Sequence, residues 1–200
     1  MKKTIIALTL ITTLQLGHAQ DRLSHSEALD YAAIVGTDLK QLRETPIPSS
    51  VDLTQPVVLR DGEFGGMVLP EATLSLENLA KAGDGITPIG QLWLLRLVPM
   101  SNGEAIPGDK LRLATIKHDN ETYRVPQCAL GVRRTDSGGM ELLVFGKDKE
   151  PLFKVALKQV EVKQGVPLDM DADRESDSGE LTLKILGKYE AKFKVTESQL

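Results

Sequence analysis

"ELTLKILGKYEAKFKV", residues 180–195, alternates apolar and polar side chains almost without a break. Leu181, Leu183, Ile185, Tyr189, Ala191, Phe193 and Val195 share one face if Leu186-Gly187-Lys188 forms a three-residue loop that pairs Ile185 with Tyr189. A period of two belongs to a strand with one buried face. Lys184, Lys188, Lys192 and Lys194 then fall on the water side. Because lysines blunt exposed sheet edges, 189–195 is expected to be an edge strand.

The same reading extends upstream. "MELLVFG", "PLFKVAL" and "QVEVK" are strand-like, and 136–155 weakly repeats 177–195: Asp-Ser-Gly, Glu-Leu, Gly-Lys, then Phe-Lys-Val. Each copy reads as a turn, a strand, a Gly-Lys turn and a return strand. In "KLRLATIKH-DN-ETYRVPQCAL", pairing His118 with Glu121 sets Ile116 opposite Tyr123 and Ala114 opposite Val125, which keeps the apolar face consistent. "QLWLLRLVP" reads as one central strand with Trp93 in the core, because nearly all its neighbours are aliphatic. Asp61-Gly62 between "PVVLR" and "EFGGMVL" is a strong hairpin signal, and Gly65-Gly66 suggests a bulge or kink. "SLENLAKAG" makes a short helix with Ser75 as N-cap and Gly83 as terminator.

One longer helix precedes these strands. In residues 24–44, Ala28, Ala32, Val35, Leu39 and Leu42 form a narrow stripe, and Ser24 with Glu27 makes a capping box. Gly36 weakens its middle by about 1 kcal/mol. The stripe is expected to dock on the body of the same chain. Pro46 and Pro48 end the helix and open an extended linker over 46–55. Roughly nine or ten short strands follow at the spacing of an antiparallel sandwich. The expected fold is mainly β: an Ig-like or related antiparallel β-sandwich over 56–200, preceded by one N-terminal α-helix within 20–45, with a possible subdivision near 130.

Residues 1–19 read as a secretory signal: Lys2 and Lys3, an apolar run from Ile5 to Leu16, then Gly17-His18-Ala19 ahead of a cleavage site. Export to the periplasm or outside a bacterial cell follows. Cleavage removes two lysines and no acids, moving the formal charge from −4 to −6. An acidic chain with scattered lysines lacks the concentrated basic face that nucleic acid requires. No later run suggests a membrane span. Cys128, the one cysteine, has no internal partner and reads as a small buried apolar residue.

"DMDADRESDSGE", 169–180, spaces its acids like a calcium loop. Asp169, Asp171, Asp173, Glu175 and Glu180 are the candidate ligands, since hard oxygens at alternate positions can surround calcium. Against a tight site, Arg174 stands where such a loop needs Gly, and the flanks are strands. The competing reading is a solvated charged loop. His25 and His118 are the only histidines past the leader, and no G-x-S-x-G elbow accompanies them. Acids are plentiful enough for a carboxylate-dependent hydrolase, but aromatics to stack on a sugar are scarce at 4%. The preferred reading is a non-catalytic module with no cofactor. It contacts another envelope or extracellular protein through the 24–44 helix or the 189–195 strand. A calcium-stabilised module is the alternative and the hydrolase is third.

Overall fold

Ile185 pairs with Tyr189 and Leu181 with Phe193 in the computed structural model, and the seven apolar residues of this hairpin enter one core. The structure describes residues 20–39, 46–81, 85–118, 121–175 and 178–200. The leader, Leu42, Gly83, the Asp119-Asn120 turn and Asp177 lie outside the described residues, as do the side chains of Leu39, His118 and Glu175.

Two antiparallel sheets pack face to face. The first runs β1 (Asp21–Arg22), β2 (Val57–Asp61), β3 (Phe64–Pro70), β4 (Thr87–Leu95), β8 (Glu121–Arg134), β9 (Met140–Phe145) and β10 (Pro151–Ala156). β7 (Arg112–His118) pairs with the first half of β8, in the register His118–Glu121, Ile116–Tyr123 and Ala114–Val125. The second sheet runs β12 (Leu168–Glu175), β13 (Ser178–Ile185), β14 (Tyr189–Glu197), β5 (Leu97–Ser101) and β6 (Glu104–Ala105), and β11 (Lys158–Gln159) pairs with β14. β8 passes through residue 130 unbroken. The repeat places one hairpin in each sheet, β9–β10 in the first and β13–β14 in the second.

Alternation explains the layers. Val57, Leu59, Val68, Leu92, Leu94, Cys128 and Leu130 face inward from the first sheet and meet Leu168, Met170, Leu183, Ile185 and Phe193 from the second. The other parity of the first sheet, including Val58, Met67, Trp93, Ala114 and Val125, is covered by Ala28, Ala32 and Val35 of α1 (His25–Leu39). The helix therefore docks on its own chain. Ser24 caps it reciprocally: its backbone N–H donates to Glu27 Oε2 at 2.9 Å, and its Oγ accepts from the Glu27 N–H at 3.4 Å. Gly36 admits the linker, since a Cβ there would stand 2.8 Å from Leu53 Cδ1. The linker is tied down by Glu71, whose carboxylate accepts from Ser49 Oγ at 2.7 Å and from the Ser50 N–H at 2.8 Å. The short helix α2 (Leu76–Ala80) starts at Ser75, whose side chain accepts from the Asn78 N–H.

Five local expectations need correction. "QLWLLRLVP" is two strands: Arg96 takes a left-handed φ of 55°, and the chain leaves the first sheet at Leu95 to enter the second at Leu97. At that corner Arg96 Nη1 donates to Glu63 Oε2 at 2.7 Å. Gly65-Gly66 makes no bulge; Arg60 and Leu59 pair with these glycines in regular register. The β2–β3 turn is Gly62-Glu63, one residue later than Asp61-Gly62, because Gly62 supplies the positive φ of 58°. Finally, β14 is interior to its sheet, flanked by β13 on one side and by β5 and β11 on the other, and "QVEVK" contributes strand only at Gln159.

Inward parity makes a measurable difference between neighbours. Leu183, fully buried, should cost about 2–5 kcal/mol when cut to alanine, whereas Lys192→Ala on the outer face of the same hairpin should cost far less, because an exposed ion pair is screened by water. Urea unfolding of the two variants checks this, and equal losses would contradict the assigned faces.

Candidate functional site

The acidic stretch lies on a hairpin. Asp169, Asp171 and Asp173 alternate with the inward-facing Leu168, Met170 and Ala172 along β12, so they point outward in a row. The charged-loop reading of 169–180 is thus replaced by strand over Leu168–Glu175 and Ser178–Ile185. Side chains two apart on a strand are about 6.5 Å apart, so the row spreads along a line where a tight calcium loop would converge on a point.

The chain's own cations interleave with these acids. Arg22 Nη2 donates to Asp169 Oδ1 at 2.5 Å, to the Met170 carbonyl at 2.9 Å and to Asp171 Oδ1 at 3.4 Å. Lys184 bonds Asp171, and Lys192 bonds Glu180 at 2.7 Å. The repulsion expected of clustered carboxylates is thereby offset inside the protein. Among the described residues no group of three or more His, Cys, Asp and Glu is arranged to hold a metal ion. Arg22 also joins the edge strand β1 of one sheet to the edge strand β12 of the other.

Burial works against the charge on Asp171, but Lys184 and then Arg22 outweigh it and hold its carboxyl below the ordinary value. The Glu180 carboxylate, by hydrogen bond and charge, holds the Lys192 ammonium above its ordinary value. Burial alone pushes the Cys128 thiol up to about 12, which leaves it a neutral core residue. His25 opens α1 and His118 ends β7, while Cys128 sits inside β8. These three belong to different elements, and Cys128 has no exposed surface.

The two sheets part where β2–β3 faces β12–β14, leaving a cleft of about 590 Å³. Leu59, Met170, Leu181 and Val195 form its apolar floor. Gly66 leaves room there for Met170, whose flexible Cε would stand 3.0 Å from an added Cβ and would have to shift by a few tenths of an ångström. At the mouth, Arg174 Nη1 donates to Asp61 Oδ2 at 2.9 Å and its guanidinium lies 5.8 Å from the centre of the Phe64 ring. Glu197 lines the same mouth. Arg174, which counted against a calcium loop, is here a gatepost.

Sequence patterning gave no sign of this cleft. Its lining comes from segments more than a hundred residues apart, and the one local hint is the bare Gly65-Gly66 pair. Of the two expected contact surfaces, the helix packs Ala28, Ala32 and Val35 on the first sheet, and β14 pairs with β13 along one edge and with β11 and β5 at residues 189–190 and 195–197 of the other. No family model matches the chain, and no curated protein or solved structure shows a significant likeness to it.

The Asp171 network sets a pH dependence. A carboxyl whose folded value lies below its unfolded one stabilises the protein above the ordinary aspartate range, and that contribution fades as pH falls through the folded value. In Asp171→Asn the thermal midpoint should therefore fall less steeply below about pH 4 than in the parent. An unchanged acid slope would remove Asp171 from the account.

Proposed function

We propose that this chain is a non-catalytic binding module, exported to a bacterial periplasm or beyond, that contacts another envelope or extracellular protein through the cleft between its sheets. The observation that carries the reading is the cleft's make-up, an apolar floor inside a charged rim. Protein recognition concentrates its energy in such places, where one apolar anchor fills a desolvated pocket and the rim excludes water. A volume of about 590 Å³ accommodates one or two side chains of a partner segment. The leader-like residues 1–19 support export.

Two acids, Asp61 and Glu197, line the cleft, which is what a carboxylate-dependent hydrolase would need. Asp61 is engaged by Arg174, and this tie favours a structural role over proton transfer. The binding reading is therefore preferred.

A photo-crosslinking residue at Ala172, inside the cleft, should trap one defined protein when the chain is produced in its own host. The same residue at Lys154 on β10 should trap none. Arg174→Ala should reduce the Ala172 adduct about tenfold, as removal of a rim anchor does. Adducts from Lys154 with none from Ala172 would contradict the assignment of the surface.

A further inference from the structure

A second cavity, of about 300 Å³, lies between α1 and the outer face of the first sheet. Its walls carry Tyr31 from α1, Phe64 from β3, Trp93 from β4 and Tyr123 from β8. The whole chain holds four Phe, three Tyr and one Trp. Half of a scarce residue type therefore meets around one small space, brought together from four elements.

The mouth of this cavity is partly apolar and partly wet. Leu23, Ile34 and Leu95 are half-buried there, as are Tyr31 and Tyr123, so apolar surface is left facing water. Gly65 keeps the space open. A Cβ at that position would make only ordinary contacts, 3.4 Å to the Leu59 carbonyl oxygen and 3.7 Å to Leu95 Cβ. Nothing in the backbone demands glycine there, since its φ is not left-handed.

Arg60 stands directly across the ladder from Gly65 and lines the same cavity. Arg22, Arg96, Arg133 and Arg174 are each paired with a carboxylate. Arg60, among the described residues, has only the Gly62 carbonyl, which accepts from its Nε at 3.0 Å. Its remaining guanidinium N–H groups are free to take a planar anion, for which their fork is suited. The nearby Glu121 carboxylate accepts from the Tyr123 hydroxyl.

We propose that this cavity binds a small organic anion with an aromatic or similarly apolar ring. The ring sits among Tyr31, Trp93 and Tyr123, whose faces and edges suit it, and the carboxylate or equivalent group meets Arg60. The space equals roughly ten waters' share of liquid, which fits one ring and a short acidic arm. The site opens on the other face of the β2–β3 hairpin from the inter-sheet cleft, with Arg60 and Phe64 at the boundary the two share; its ligand is a small molecule and not the protein partner proposed for that cleft.

Trp93, the single tryptophan, is a built-in reporter. Titrating the purified protein with phenylacetate should change Trp93 emission saturably. Phenylethanol, the neutral analogue, should bind about tenfold more weakly, and acetate should give no response. Arg60→Gln should bring phenylacetate down to the phenylethanol level and leave phenylethanol unchanged. Gly65→Val should abolish the response to both. No saturable response to phenylacetate, or an undiminished anion preference in Arg60→Gln, would overturn the proposal. Arg60 is exposed, so its variant decides the question even if Gly65→Val does not fold.

Discussion

Neighbouring side chains on a strand face opposite ways, and everything in this protein follows from how that rule is met on two sheets at once. Leucines at 181 and 183 and Ile185 can leave water only if another sheet supplies an apolar face. Leu92, Leu94, Cys128 and Leu130 supply it. With no disulfide to restrain the chain, this interlock carries the stability, at about 1.5–3 kcal/mol for each large side chain buried. A one-residue slip in either sheet would turn the leucines outward. The two layers therefore hold one another in register.

The interlock also decides where the sandwich is open. Where inward positions carry full side chains, as at Leu92, Leu130 and Leu183, the sheets touch. At Gly66 and Gly179 the backbone is bare, and a cleft remains. Across the cleft edge Arg22 links strands that belong to different sheets, and Arg174 does the same with Asp61. Both arginines are about half exposed, so they add specificity of closure more than stability. Because the first sheet presents apolar residues on both faces, α1 is needed as a third layer, and the aromatic cavity forms where that layer fits imperfectly.

The mainly β, two-sheet architecture was legible because alternation is local. The 180–195 hairpin, the His118–Glu121 register and the Ser24–Glu27 cap each depend on residues within about twenty positions. What was not legible depended on long-range partners. Nothing near Arg96 signals a change of sheet, since "LWLLRLV" is equally apolar on both sides. The lysines of β14 look like edge protection, yet they serve as cross-strand partners: Lys192 bonds Glu180 on β13. The acids of 169–173 resemble a metal loop only while Arg22, nearly a hundred and fifty residues earlier, is out of view. The cleft and the aromatic cavity are assembled wholly from such distant contacts.

Native-state hydrogen exchange tests most directly whether the two sheets form one mutually dependent core. Amides at the centres of β4, β8, β13 and β14 should share the highest protection and open together, with the same denaturant dependence as global unfolding. If β13 and β14 opened independently, at a much lower free energy than β4 and β8, the sheets would be separate units and the interlock described here would be contradicted.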